Sequence, residues 1–166
     1  MNKSKRLMIM FVLAALILAL PTTVLANKRL WKASLSSANE LHEVVGSSAR
    51  GSATFATFPD GGIHFMLNVR GLSGPATGAH LHAPATESEN ASVVVTLCGN
   101  PTPGAVATCT TDADGNMFIE GSISSSLLRG ITAATFFSYL EDGLVYVNVH
   151  TALNPAGETR GQLIER

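Results

Sequence analysis

The chain has 166 residues, with 11 lysines and arginines against 12 aspartates and glutamates and a formal net charge of −1. This length suits a single domain with one hydrophobic core. No stretch clusters basic residues and aromatic residues make up only 6% of the chain, which argues against binding to nucleic acid or to anionic lipid.

The first 26 residues are typical of a secretory signal peptide. The basic segment MNKSKR precedes the apolar run LMIMFVLAALILAL, and the triplet Val24-Leu25-Ala26 fits a small-residue cleavage site. We therefore predict a signal peptide at 1–26 and one exported domain at 27–166, which is secreted, periplasmic or at the cell surface. The alternative is an uncleaved membrane anchor, because residues 7–26 are about long enough to span a bilayer.

Short strand patterns alternate with turn signals along the rest of the chain. Strands are predicted at 30–35, 51–58, 63–69, 79–82, 93–98, 117–123, 144–150 and 158–164. The segment Pro59-Asp60-Gly61-Gly62 predicts a hairpin turn, and helical spacing of apolar residues predicts a short helix within 131–141. Turn signals about every 10 residues are expected for an antiparallel sandwich or barrel.

Cys98 and Cys109 are the only two cysteines. An exported chain with two cysteines most simply forms one disulfide, here closing a loop that stabilises by about 3 kcal/mol on the chain-entropy model. A thiolate metal or redox pair is the alternative, but the ten intervening residues do not make a CxxC motif.

Three histidines occur at positions where strands would bring them to polar faces. His80 and His82 lie two residues apart in AHLH, and His150 lies on one face of a later strand with Tyr146 and Asn148. Convergence of these imidazoles would form a mononuclear zinc or copper site with one open position. Glu158 or Tyr146 would then be candidates for fixing a histidine tautomer.

The alternative for the same residues is a structural polar network on the sheet surface. In that interpretation Asn148 forms hydrogen bonds with backbone groups at strand edges. Arg160 pairs with Glu158 or binds loop carbonyls, with Tyr146 beside them. His64 and Met66 lie on the outer face of another predicted strand. If that strand lay next to AHLH, their side chains would join the metal ligands, and a set of histidine and methionine ligands would favour copper.

Sequence motifs for enzymatic chemistry are missing. There is no GxSxG nucleophile elbow and no HExxH pattern, and the segment 112–116 is better interpreted as a turn than as a calcium loop. We therefore expect a protein without enzymatic activity.

The hairpin FPDGGIHFMLNVRGL, the AHLH segment and the ending YVNVHT…NPAGETRGQL together resemble the CHRD domain, the module repeated in chordin. The resemblance covers about residues 30–164. It implies an immunoglobulin-like or superoxide-dismutase-like β-sandwich. Together with the strand and helix patterns above, this predicts an antiparallel Greek-key β-sandwich with one short helix. A binuclear copper–zinc site is not expected, because the chain has only five histidines.

Together, these features predict a binding or structural module that acts outside the cytoplasm. The alternative function is a mononuclear copper or zinc protein using His80, His82 and His150. The predicted partner is an extracytoplasmic protein or a metal ion, and a membrane is a partner only if the leader stays uncleaved.

Overall fold

The computed structural model describes residues 28–58, 61–99 and 104–166. The predicted signal peptide therefore lies outside the described residues, as do Pro59 and Asp60 of the predicted turn. The strands are β1 (Leu30–Ser36), β2 (Arg50–Thr57), β3 (Ile63–Arg70), β4 (Ala76–His82), β5 (Val93–Gly99), β6 (Met117–Ile123), β7 (Tyr146–Thr151), β8 (Thr159–Gln162) and β9 (Ile164–Glu165). One α-helix, α1 (Ala133–Glu141), and two short 3-10 turns, Ser37–Asn39 and Ser125–Leu127, complete the described part.

The nine strands form one antiparallel sheet that curls around a single core. The strand order is β5-β4-β7-β8-β1-β2-β3-β6, and β9 also pairs with β1. Residues from both ends of this order, such as Leu97 of β5 and Ile119 of β6, belong to the same buried cluster. The structure thus confirms the predicted antiparallel β-sandwich with one short helix.

Strand β3 shows how the sequence pattern sets the two faces of the sheet. Ile63, Phe65, Leu67 and Val69 are buried, whereas the residues between them face outward. A pleated strand alternates its side chains with a period of two, so this apolar set can only lie on the core side.

A disulfide joins Cys98 and Cys109, as predicted. Within the loop that this disulfide closes, Val106 and Ala107 donate backbone hydrogen bonds to the carbonyl oxygens of Thr96 and Leu97 of β5, at 3.1 and 3.0 Å. The side chain of Val106 also lies against Gly121 of β6. The disulfide-bonded segment therefore links β5 and β6, the two terminal strands of the sheet order.

Helix α1 begins and ends where its sequence signals indicate. The side chain of Thr132 accepts a hydrogen bond from the backbone N–H of Thr135, and Gly143 follows the last turn with a φ of 67°. Phe136 and Leu140, four residues apart, are the buried positions of the helix. No helix within the described residues is long and apolar enough to cross a membrane.

The predicted extension of the metal set to His64 and Met66 is wrong. Their strand, β3, lies between β2 and β6, and does not pair with β4. His64 instead contacts Ser122 of β6, with 3.1 Å between Nδ1 and Oγ. Strand order depends on long-range pairing, which the periodicity of one strand does not determine.

Candidate metal centre

Three histidines come together on the outer face of the neighbouring strands β4 and β7. In this pair His80 lies opposite Asn148, and Gly78 lies opposite His150. Because side chains alternate along each strand, His80, His82 and His150 project from one face of the sheet. Their ring centroids lie between 4.9 and 6.4 Å apart.

The ring nitrogens of this histidine cluster lie close enough to share one metal ion. Each histidine offers one donor atom, and the three donors lie within 4.8 Å of one another. His80 Nδ1 and His150 Nε2 are already 3.0 Å apart. Zinc–nitrogen bonds of about 2.0–2.1 Å place donors about 3.3 Å apart in a tetrahedral site. Binding of one ion would therefore require rotation of the rings and replacement of the hydrogen bond between His80 and His150 by metal–nitrogen bonds.

Two backbone carbonyls set the tautomers of two of these histidines. His82 Nδ1 lies 2.9 Å from the carbonyl oxygen of Ala91, and His150 Nδ1 lies 3.0 Å from that of Pro155. A carbonyl oxygen only accepts, so both Nδ1 atoms carry the proton and both Nε2 atoms keep a lone pair. His82 Nε2 is buried and has no hydrogen-bond partner among the described residues. The tautomer-fixing role expected of Glu158 or Tyr146 thus belongs to the main chain.

Burial favours the neutral form of all three imidazoles. Burial, together with the neighbouring His150 and His82, lowers the pKa of His80 to about 4. Burial likewise lowers the pKa of His82 and of His150 below the usual histidine value. The neutral imidazole is the form that binds a metal ion, so this cluster does not have to lose a proton first.

The face that carries the histidines is covered by loops, and the prediction that it forms the surface of the sheet is wrong. Tyr146 and Asn148 are each only 3% exposed, although they alternate with the core-facing valines of β7. The segment 83–92 covers one part of this face, and the segment around Glu40 covers another. Strand β7 is therefore buried on both sides.

The family comparison agrees with the fold. The model of the CHRD domain matches residues 31–163, from β1 to the residue after β8. The chain belongs to the CHRD family. Searches of the curated proteins and of the solved structures give no match. Family membership supports a binding or structural module as the general role of this domain.

Arg160, Glu158 and Asn148 contact different parts of the chain. Arg160 of β8 is buried, and it donates hydrogen bonds to the carbonyl oxygens of Thr86 and Glu89 and to Asn90 Oδ1. Of the two roles predicted for Arg160, the structure therefore shows binding to loop carbonyls and no pairing with Glu158.

Glu158 is fully buried in a cage of hydrogen-bond donors, with no ion pair among the described residues. Its carboxylate accepts five hydrogen bonds of 2.5 to 3.2 Å, from the side chains of Ser47, Ser73, Thr151 and Asn154 and from the main chain of Ser73. Burial alone would raise the pKa of Glu158, but the hydrogen bonds outweigh it and the pKa lies below its usual value. The carboxylate therefore joins three loops to the end of β7.

The side chain of Asn148 binds the carboxyl group of Glu40, whereas the prediction was hydrogen bonding to backbone groups at strand edges. Its Nδ2 donates to Glu40 Oε1 at 2.7 Å, and the Glu40 side chain is only 3% exposed. Gly157 packs directly against this pair, since a Cβ there would collide with both side chains. Burial raises the pKa of Glu40 to about 7, even though His42 and Arg160 favour its charged form.

Replacing Glu40 with glutamine should make the domain less sensitive to pH. The folded-state pKa of Glu40, about 7, lies above its unfolded value of 4.5, so its contribution to stability is complete below pH 4.5 and is lost as pH rises through 7. We expect Glu40→Gln to match the wild type near pH 4 and to exceed it near pH 8 by roughly 3 kcal/mol of unfolding free energy. Urea unfolding at both pH values measures this difference, and Glu43→Gln is the matched control. Equal pH dependence in wild type and Glu40→Gln would contradict the prediction.

Proposed function

We propose that this CHRD domain is a metal-binding module that takes one Zn²⁺ or Cu²⁺ ion through His80, His82 and His150. The observation that carries the proposal is the buried Nε2 of His82, which keeps a lone pair and has no partner among the described residues, beside two more imidazoles. Leaving a buried polar atom without a hydrogen bond costs about 1–3 kcal/mol. A metal ion would satisfy this atom.

The chemistry of the donor set favours zinc and copper over other metals. Imidazole nitrogen suits these ions, whereas magnesium and calcium prefer carboxylate and carbonyl oxygens. The hydrogen bonds from His82 and His150 to backbone carbonyls are the kind of support that orients histidine ligands in metal sites. Three protein ligands leave a fourth position for water or for an external ligand.

A titration with matched variants tests the proposal. The protein is stripped of metal and titrated with Zn²⁺ and Cu²⁺ against a competing chelator of known affinity. We expect one ion per chain in the wild type and at least about 100-fold weaker binding in His82→Gln and in His150→Gln. His64→Gln, on the outer face of β3, is the control and should bind as the wild type does. Micromolar or weaker binding, unchanged by the cluster substitutions, would refute a metal site here.

Gly78 provides a second test of the same site. A Cβ at position 78 would lie 3.1 Å from His80 Cε1 and 3.4 Å from His80 Nε2, so the imidazole would have to move. We expect Gly78→Ala to weaken Zn²⁺ binding by roughly 10-fold, because displaced ligands lose affinity. The control is Gly74→Ala, where a Cβ meets nothing within 4 Å. Equal Zn²⁺ affinity in the two variants would contradict a role for His80.

We also propose that the domain acts outside the cytoplasm, in the medium, the periplasm or at the cell surface. The support is the basic and apolar leader at residues 1–26 together with the Cys98–Cys109 disulfide, a bond that persists in oxidising compartments. The N-terminal sequence of the protein recovered from cells and medium tests this. Recovery outside the cytoplasm with Asn27 as first residue is expected, whereas an intact chain in the cytoplasm would contradict the proposal.

A further inference from the structure

Arg160 is a buried cation whose guanidinium hydrogen-bonds to loop oxygens. It is only 2% exposed, and none of the ion pairs among the described residues involves it. Its guanidinium donates to the carbonyl oxygens of Thr86 and Glu89, at 2.9 and 2.7 Å, and to Asn90 Oδ1 at 3.0 Å. A buried charge is costly unless it is fully hydrogen-bonded. Arg160 and the segment 84–92, here called the covering loop, therefore depend on each other.

The guanidinium also forms one end of a three-layer stack that ends at the histidine cluster. Its central carbon lies 3.5 Å from the centroid of the Tyr146 ring. Tyr146 also stacks on His82. The two ring planes are within 1° of parallel, and their centroids lie 4.7 Å apart. Side chains from the adjacent strands β8, β7 and β4 thus connect the buried cation to a candidate metal ligand.

Ala91 is the point where the covering loop meets this stack. Its N–H donates to the Tyr146 hydroxyl at 3.4 Å, and its carbonyl oxygen accepts from His82 Nδ1 at 2.9 Å. Ala85, near the start of the loop, is held separately by Leu144 and Gln162, whereas Arg160 provides three hydrogen bonds to Thr86, Glu89 and Asn90, the part of the loop that leads to Ala91. If the loop moved away, the Ala91 carbonyl would no longer keep the proton on His82 Nδ1. His82 would then also adopt the Nε2–H tautomer, in which Nε2 has no lone pair for a metal.

We infer that Arg160 is a positioning residue for the histidine cluster: by fixing the covering loop it keeps the proton of His82 on Nδ1 and the lone pair on Nε2. The effect on metal affinity rests on the proposed function, whereas the effect on the tautomer does not. Arginine is suited to this role because its planar fork binds three oxygens while its face stacks on an aromatic ring. Lysine carries the same charge but offers neither feature.

The test is Arg160→Lys, measured in two ways. Long-range ¹H–¹⁵N correlation spectra of the histidine rings, recorded without metal, report which nitrogen of His82 carries the proton. Zn²⁺ titration reports the affinity. We expect His82 to be entirely Nδ1–H in the wild type and a mixture of tautomers in Arg160→Lys, with Zn²⁺ affinity about 10- to 100-fold lower. Arg50→Lys, at the exposed start of β2, is the control and should change neither measurement.

A milder variant keeps the inference testable if Arg160→Lys does not fold. Asn90→Ala removes one of the three acceptors and leaves Arg160 in place, so we expect a few-fold loss of Zn²⁺ affinity and a smaller tautomer change.

An unchanged His82 tautomer in the folded variants would overturn the inference. If the wild type does not bind Zn²⁺, the proposed function fails, and the tautomer spectra still decide the role of Arg160. If the wild type binds and the Arg160 variant binds equally well with the same tautomer, only the positioning role fails.

Discussion

Replacing Glu158 with glutamine is expected to lower the free energy of unfolding by about 3 kcal/mol, because buried donors would lose their acceptor. The carboxylate accepts hydrogen bonds at both oxygens, including N–H donors from Ser73 and Asn154 that cannot reverse their polarity. An amide group in this place presents an NH₂ toward one side of the cage. Glu158→Ala would leave every donor of the cage unsatisfied and should cost more.

Urea unfolding at pH 7 measures the effect, and Glu120→Gln on the exposed face of β6 is the matched control. The pKa of Glu158 is lower in the folded state than its usual 4.5, so its contribution to stability is present above pH 4.5 and is lost as pH falls through the folded-state value. The difference between wild type and Glu158→Gln should therefore narrow in acid. A Glu158→Gln protein as stable as the control would show that the cage is not important for the fold.

Replacing Gly161 with alanine is the second change expected to have a large effect on stability. A Cβ at this position would lie 2.6 Å from the carbonyl oxygen of Ser34, 2.9 Å from the carbonyl carbon of Ser34 and 3.2 Å from Leu35 Cα. All three contacts are with the backbone of β1, which cannot rotate away as a side chain can. Strand β8 would have to separate from β1, and overpacking of this kind costs about 1–3 kcal/mol or more.

We expect Gly161→Ala to lose about 3 kcal/mol of unfolding free energy, measured by urea unfolding beside Gly74→Ala. The Gly74 variant is the control because a Cβ there has open space. A loss of less than about 1 kcal/mol in Gly161→Ala would mean that β1 and β8 adjust more easily than close packing allows. The close approach explains why glycine stands between Arg160 and Gln162 in this chain.

The fold could be predicted from the sequence because its signals are local. In β3 the apolar residues alternate without interruption from Ile63 to Val69, and the pleat leaves one arrangement that buries them. Helix α1 was equally predictable, since Phe136 and Leu140 have helical spacing and Gly143 follows the last turn. The predicted final strand, 158–164, is in fact two strands, β8 and β9, separated by Leu163. Strand β8 pairs with both β7 and β1, whereas β9 pairs with β1.

The convergence of the histidines depended partly on local spacing and partly on strand order. His80 and His82 had to share a face, but only the pairing of β4 with β7 brings His150 to them. The same reasoning failed for His64 and Met66, whose strand lies elsewhere in the sheet. A strand pattern shows which residues share a face and does not show which strand is its neighbour.

The surroundings of the site could not be predicted, because they come from backbone atoms and distant loops. The carbonyls of Ala91 and Pro155, which set the histidine tautomers, have no side-chain signature in the sequence. Of the donors to Glu158, Thr151 and Asn154 lie within seven residues of it, whereas Ser47 lies 111 residues away. Burial of the histidine face likewise follows from loop packing that strand alternation does not specify.

X-ray absorption spectroscopy of the zinc-loaded wild-type protein tests the central claim most directly. The claim is that His80, His82 and His150 share one metal ion. The spectrum should show three imidazole nitrogens at about 2.0–2.1 Å from zinc, and this signal should fall to two in His82→Gln. A zinc shell of oxygen atoms alone, or three imidazoles that persist in His82→Gln, would contradict the claim.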